Sequence, residues 1–170
     1  DRESGEIVHD ILAFENEAPR FKHATNSYAS PTPVIQPGRV YVHFGSYGTA
    51  CFDTETGARI WERRDLPCNH WRGPGSSPIL HDGRLFIAYD GYDLQYMVAL
   101  DATSGETAWH TLRNIDYNSD DGDHKKAYGT CQIVQHGGRQ MLISPSAAAT
   151  IAYDPKTGDE IWRVQHGGMN

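Results

Sequence analysis

Short apolar runs closed by polar and turn residues recur along the chain. RVYVHFG (39–45), RLFIAYD (84–90) and RQMLISP (139–145) are the clearest. They are rich in Val, Ile, Leu and Tyr, which suit a pleated, half-buried surface, and they are bracketed by Gly, Pro and Asp turn signals. Grouped by those turns, the pattern predicts four strands in each of three successive segments. Segment 28–65 reads SPTPVIQ, RVYVHFG, TACFDT and RIWERR; segment 76–113 reads SSPILHD, RLFIAYD, YMVALDA and TAWHTLR. Segment 127–166 reads GTCQIVQ, RQMLISP, ATIAYDP and EIWRVQ. Each first strand leads into a Gly-Arg turn, at 38–39, 83–84 and 138–139. Residues 5–13 (GEIVHDILA) alternate enough to predict one more strand ahead of these.

The third-to-fourth strand passage is a repeat. CFDTETGARIW (51–61) returns as ALDATSGETAW (99–109) and AYDPKTGDEIW (152–162), and a degraded copy, DRESGEIVH, opens the chain with His9 in the Trp position. Each copy is Asp-x-x-Ser/Thr-Gly with an aromatic residue eight positions after the Asp. Self-similarity at this period in strand-rich units points to a propeller. Structure alone explains the repeated residues. Asp53, Asp101 and Asp154 accept hydrogen bonds from the turn backbone. Gly57, Gly105 and Gly158 supply a positive φ. Trp61, Trp109 and Trp162 bury a large face between blades.

The pattern Ala-x-Asp-x-x-Thr-Gly-x-x-x-Trp resembles the repeat of the quinoprotein (PQQ) β-propellers, with Cys51 replacing the small Ala and His9 replacing Trp. The resemblance implies an all-β fold: a β-propeller of four-stranded antiparallel blades. Three blades plus one outer strand (1–13) do not close a ring of four to eight. The expectation is therefore an incomplete ring, or a fragment of a seven- or eight-bladed propeller, completed by remaining blades or by self-association.

Composition excludes some classes. A net charge of −7 with only 15 Lys plus Arg leaves no basic stripe, which argues against nucleic acid as a partner. No apolar run reaches the 18 residues of a membrane span. The three cysteines, Cys51, Cys68 and Cys131, are widely spaced and form no CxxC pair, and an odd count leaves at least one thiol free. Cys51 takes a small buried position; Cys68, in a polar link beside His70, is the better candidate for a reactive thiol, in an exposed position. The scattered histidines lack zinc spacing, and there is neither a Gly-x-Ser-x-Gly elbow nor a P-loop.

Candidate chemistry lies in three long polar links between blades, 14–27, 66–75 and 114–126, which blade topology would place on one face. Loops aimed by a rigid scaffold carry function. His70, Trp71 and Arg72 are consecutive: a group titrating near neutrality, a stacking platform and a carboxylate clamp. Together they suit a planar polycarboxylate such as PQQ, or an anionic substrate. The alternative is that Trp71 plugs a gap and Arg72 bonds an acidic neighbour. Asp116, Asn118 and Asp120 resemble the opening of a calcium loop, but Gly122 comes one residue late and no closing Glu follows; the alternative is a solvated acidic loop balanced by Lys125 and Lys126.

Two functions are carried forward. The resemblance covers non-catalytic scaffolds, among them the propeller lipoprotein of the outer-membrane barrel-assembly machinery. It covers equally the PQQ- and calcium-dependent dehydrogenases that oxidise alcohols or sugars. The leading expectation is a binding or scaffold module that engages a protein or small-molecule ligand on its loop-rich face. The vicinal disulfide that lies under PQQ in many of the alcohol dehydrogenases has no counterpart here, and the specific part of the match is the structural part. By resemblance, the location is the bacterial periplasm or cell surface.

Overall fold

Twelve strands form three four-stranded antiparallel sheets, in the computed structural model that describes residues 1–167. β1 (Val34–Gln36), β2 (Arg39–His43), β3 (Thr49–Asp53) and β4 (Arg59–Arg63) make the first blade. β5 (Ile79–His81), β6 (Arg84–Asp90), β7 (Gln95–Asp101) and β8 (Thr107–Leu112) make the second. β9 (Gln132–His136), β10 (Arg139–Pro145), β11 (Ala149–Tyr153) and β12 (Glu160–Gln165) make the third. Each sheet runs in sequence order, as consecutive hairpins dictate. No α-helix occurs among the described residues. One 3-10 turn, Gly122–His124, lies in the link before β9, with Asp121 accepting from the Asp123 N–H at its start. No helix among the described residues is long and apolar enough to cross a membrane. The architecture is that of propeller blades packed face to face.

The middle blade shows why its strands read as almost unbroken apolar runs. Successive side chains of a strand point to opposite faces. Leu85, Ile87 and Tyr89 of β6 join a core with Tyr41, Cys51 and Trp61 of the first blade. Phe86 and Ala88 join a second core with Leu142, Ile151 and Tyr153 of the third. A blade flanked on both sides has no solvent face to mark with polar residues.

The repeat builds the joints between blades. Trp61, Trp109 and Trp162 sit at one register, opposite Cys51, Ala99 and Ala152, each beside a bulge. Trp61 Nε1 donates to the Ala102 carbonyl at 3.1 Å, where Tyr41 Oη and Arg39 Nη1 also donate, each at 3.1 Å. One blade on, Trp109 Nε1 donates to the Pro155 carbonyl at 3.1 Å and Arg84 Nη1 to the same oxygen at 2.9 Å. The arginine of the Gly-Arg signature thus clamps the next repeat. Gly105 and Gly158 have φ of +76° and +78°, and a Cβ on either would lie 2.7 Å and 2.6 Å from the indole ring of Trp61 and Trp109. Each indole rests against a turn that has no room for a side chain. Trp162 is partly exposed, and Arg139 of its blade is exposed.

The Asp turns recur, each with its Oδ1 accepting from the N–H two residues on. Asp53 Oδ1 accepts from the Glu55 and Thr56 N–H groups at 2.9 and 2.8 Å, and Asp101 Oδ1 from those of Thr103 and Ser104 at 2.8 and 2.9 Å. Asp154 Oδ1 accepts from the Lys156 N–H at 2.8 Å. Asp1 Oδ1 accepts from the Glu3 and Ser4 N–H groups at 2.9 and 2.8 Å, so the opening copy keeps its turn.

That copy does not keep its strand. Residues 5–13, expected as an outer strand, form none. A strand exists through its ladder, and no described residue pairs with this segment. It is placed instead by its side chains. His9 Nε2 donates to the Thr54 carbonyl at 3.1 Å, the contact that Trp61 and Trp109 make one repeat later, and Ile11 and His9 cover Gly57.

Candidate functional site

The three inter-blade links meet on one face of the blades. The His23 N–H donates to the Arg72 carbonyl at 3.2 Å, and Asn26 Nδ2 donates to the Arg72 and Pro74 carbonyls at 2.8 and 3.2 Å, tying link 14–27 to link 66–75. Arg72 Nη2 donates to Asp123 Oδ2 at 2.6 Å, tying link 66–75 to link 114–126. The β6–β7 turn joins them, with the Tyr92 N–H donating to the Asn69 carbonyl at 2.8 Å.

Within link 66–75 the three candidate residues diverge. His70 is buried. The Ser46 N–H donates to its Nε2 at 3.0 Å, which leaves the proton on Nδ1, facing Cys68 Sγ at 3.8 Å. Burial, with the nearby Lys126 charge, holds the His70 imidazole well below its usual range, so it stays neutral. Trp71 turns outward, 42% exposed, on a backbone with φ +49°. Arg72 is held by Asp123, whose hydrogen bond raises the guanidinium further. A buried neutral imidazole, an outward indole and a paired guanidinium do not form one platform for a planar polycarboxylate, so the residues present do not fit PQQ as a trio.

Cys68 is corrected from an exposed thiol to a buried one. The chain of link 66–75 tucks back beneath the β6–β7 turn, with Tyr96 Oη donating to the Pro67 carbonyl at 3.0 Å, and carries Cys68 into the core. Burial pushes its thiol far above the ordinary range. Cys51 and Cys131 are buried too, and burial raises Cys131 to about 12.

In link 114–126, Asp116 Oδ1 accepts from the Asn118 N–H at 2.9 Å, and Asn118 has φ +49°. Asp116 and Asn118 therefore close a local turn, and Asp120 is exposed. No group of three or more His, Cys, Asp or Glu side chains among the described residues converges to hold a metal ion. Lys126, expected to balance the acidic loop from solvent, is withdrawn into the structure. It is buried, donates to the Ala127 carbonyl at 2.9 Å, and lies over the Tyr128 ring; burial lowers it to about 8.

Sequence reasoning missed two features. The first is a fully buried ion pair, Arg113 with Asp90, in which Nη2 donates to Oδ2 at 2.8 Å and also to Ser144 Oγ of the third blade at 2.8 Å. Burial outweighs the pull of Arg113 and raises the Asp90 carboxyl. A charge closing an apolar strand, as Asp90 closes RLFIAYD, was the available signal. The second is the company of Trp71: Phe21 from link 14–27 lies 5.0 Å from it between ring centroids, and Tyr92 lies 5.4 Å away.

Comparison with known proteins agrees with the fold. A family model described as "Outer membrane protein assembly factor BamB" matches residues 20–169. No curated protein matches. Among solved structures, BamB from Moraxella catarrhalis is similar at TM-score 0.55 and 18% identity, over 76% of this chain and 35% of that one. A quinohemoprotein alcohol dehydrogenase from Comamonas testosteroni is similar at TM-score 0.54 and 22% identity, over 81% of this chain and 21% of that one. The quinohemoprotein alcohol dehydrogenase ADHIIG from Pseudomonas putida HK5 gives TM-score 0.57 and 17% identity, over 78% and 26%. These likenesses are of fold, and the chain spans between 21% and 35% of those structures' lengths. Three blades joined by Asp-Gly-Trp turns, and a family model matched over most of their length, assign the chain to the PQQ-repeat propeller family of outer membrane protein assembly factor BamB.

Proposed function

We propose that this chain is a non-catalytic binding module of the bacterial envelope, an assembly propeller that engages partners through its loop-rich face. One observation carries the reading: three links that are far apart in sequence clasp one another and display Phe21 and Trp71 to solvent, while His70 and Cys68 are withdrawn into the core. Large exposed aromatics on rigidly held loops mark interaction surfaces. The nearest catalytic-type groups, His70 and Cys68, are buried and neutral, which suits support of a loop and not proton transfer to a ligand. The family match adds an envelope setting and protein partners.

Photo-crosslinking in cells tests this. A crosslinker at position 71 should trap an envelope protein, and one at Glu106, in the exposed turn before β8, should not. Equal trapping at both sites would overturn the reading. The competing reading, a PQQ- and calcium-dependent dehydrogenase of alcohols or sugars, draws on the fold likeness to quinohemoprotein dehydrogenases. Saturable, calcium-dependent quenching of tryptophan fluorescence by PQQ would replace the assembly reading with that one.

A further inference from the structure

Trp71 is held in a backbone conformation that its side chain does not favour. Four non-glycine residues among those described have positive φ: Trp71, Asp82, Asn114 and Asn118. Three are Asp or Asn, which tolerate the left-handed region through local hydrogen bonds. A bulky aromatic there is an outlier, and such strain persists where the surroundings over-determine it. Here they do. Asn69 Oδ1 accepts from the Trp71 N–H at 3.1 Å, the Asn69 N–H donates to Asp93 Oδ1 at 2.7 Å, and the Asn69 carbonyl accepts from the Tyr92 N–H at 2.8 Å. Two hydrogen bonds to the β6–β7 turn fix Asn69, and Asn69 fixes Trp71 outward.

The indole stands between two rings from other segments. Phe21, 55% exposed, inclines to it at 48°, and Tyr92 inclines at 38°. Beside the rings lies the Arg72–Asp123 pair, both side chains partly exposed, with the Tyr92 hydroxyl in hydrogen-bonding reach of each. An ionised carboxylate only accepts hydrogen bonds and a guanidinium only donates them.

We infer that Phe21, Trp71 and Tyr92, with Arg72 and Asp123, form a binding site for a neutral saccharide. A sugar ring has an apolar face of C–H groups that suits an aromatic platform, and a rim of hydroxyls that both donate and accept. A carboxylate and a guanidinium 2.6 Å apart offer an acceptor and a donor side by side, as two vicinal hydroxyls require. Asp93 and Asp123 next to the rings disfavour an anionic ligand. The inference rests on the reading of this face as a binding surface and names what it takes.

The test is calorimetric titration of the protein with N-acetylchitohexaose and with maltohexaose. One of them should bind with a Kd of about 1 mM or tighter, an affinity that stacking plus a few hydrogen bonds supplies. Trp71→Ala should weaken binding at least about tenfold, as loss of a central aromatic anchor does. Phe21→Ala, at a more exposed ring, and Asp123→Asn should each weaken it too, with the far-UV spectrum and melting temperature unchanged. No binding of either sugar up to about 5 mM, or undiminished binding by Trp71→Ala, would overturn the assignment. Crosslinks to a polypeptide at position 71 without sugar binding would also overturn it and leave the assembly reading standing. Sugar binding without such crosslinks would remove that reading and leave the saccharide site.

Discussion

The indole nitrogen of Trp61 donates to the carbonyl of Ala102, one residue past the Asp that opens the next repeat. Trp109 and Pro155 repeat the relationship in the next joint, and His9 and Thr54 repeat it with a smaller ring. Removing either buried indole should therefore cost the same. Trp61→Ala and Trp109→Ala are each expected to lose about 3–5 kcal/mol of unfolding free energy. Urea melts check this, and a cost below about 1 kcal/mol for one of them would break the equivalence.

The other half of each joint is a glycine. Gly105→Ala and Gly158→Ala place a methyl within 2.7 Å of an indole and force it into positive φ. Gly83 also has positive φ, +72°, but open space around it. Gly83→Ala should cost about 1 kcal/mol from the backbone alone, and the two joint variants about 1–3 kcal/mol more from overpacking. Three equal costs in thermal or urea unfolding would show that the indoles move aside freely.

Asp90 and Arg113 illustrate a different dependence. Both side chains are fully buried, so Asp90→Asn leaves a guanidinium charge without its counter-ion between the second and third blades. The expected loss is about 3–5 kcal/mol. Replacing both residues by apolar ones of similar volume should recover most of it, and a double variant as unstable as the single one would argue against ion pairing as the cause.

Acid should destabilise the folded chain through its buried histidines. His43 donates to or accepts from Thr49 Oγ1 inside the core, and burial lowers its pKa to about 3. The unfolded imidazole titrates near its ordinary value of about 6.5. Between the two pKa values the unfolded state binds a proton that the folded state refuses. The stability is thus full above about pH 6.5 and declines as pH falls toward 3, by about 2 kcal/mol for this residue on going from pH 7 to pH 5. His70 is lowered as well and acts in the same direction. His43→Gln should flatten the pH dependence of urea unfolding over that range, and an unchanged slope would show that His43 is charged in the folded state.

The thiols give the simplest check. Cys51, Cys68 and Cys131 are all buried. A thiol reagent should find none of them in the native protein within minutes and all three after denaturation. A fast-reacting thiol that Cys68→Ser removes would place link 66–75 outside the core.

These residues also mark how far a sequence can be read. The twelve strands were legible because alternation and turn residues are local signals, and the joints were legible because a repeat displays its own architecture. The lack of a strand at 5–13 was not, since alternation describes a strand's faces and says nothing of whether a neighbour exists to pair with it. His70, Trp71 and Arg72 read as a cluster because they are consecutive, yet a single left-handed residue at Trp71 sends adjacent side chains to different environments. Phe21 and Tyr92, the partners Trp71 does have, are contributed by the link before the first blade and by the β6–β7 turn of the second. Asp90 and Arg113 are 23 residues apart, a pairing that no spacing rule announces.

The acceptors at the blade joints are main-chain carbonyls, belonging to an alanine in one case and a proline in the other. What each indole asks of the next blade is thus a shape of backbone and a missing side chain, and nothing of residue identity beyond the glycine. Adhesion between neighbours is decoupled from the lettering of the links. A blade could be duplicated, lost or shuffled and still find a matching surface, while the loops that meet the outside world drift toward new ligands without loosening the stack.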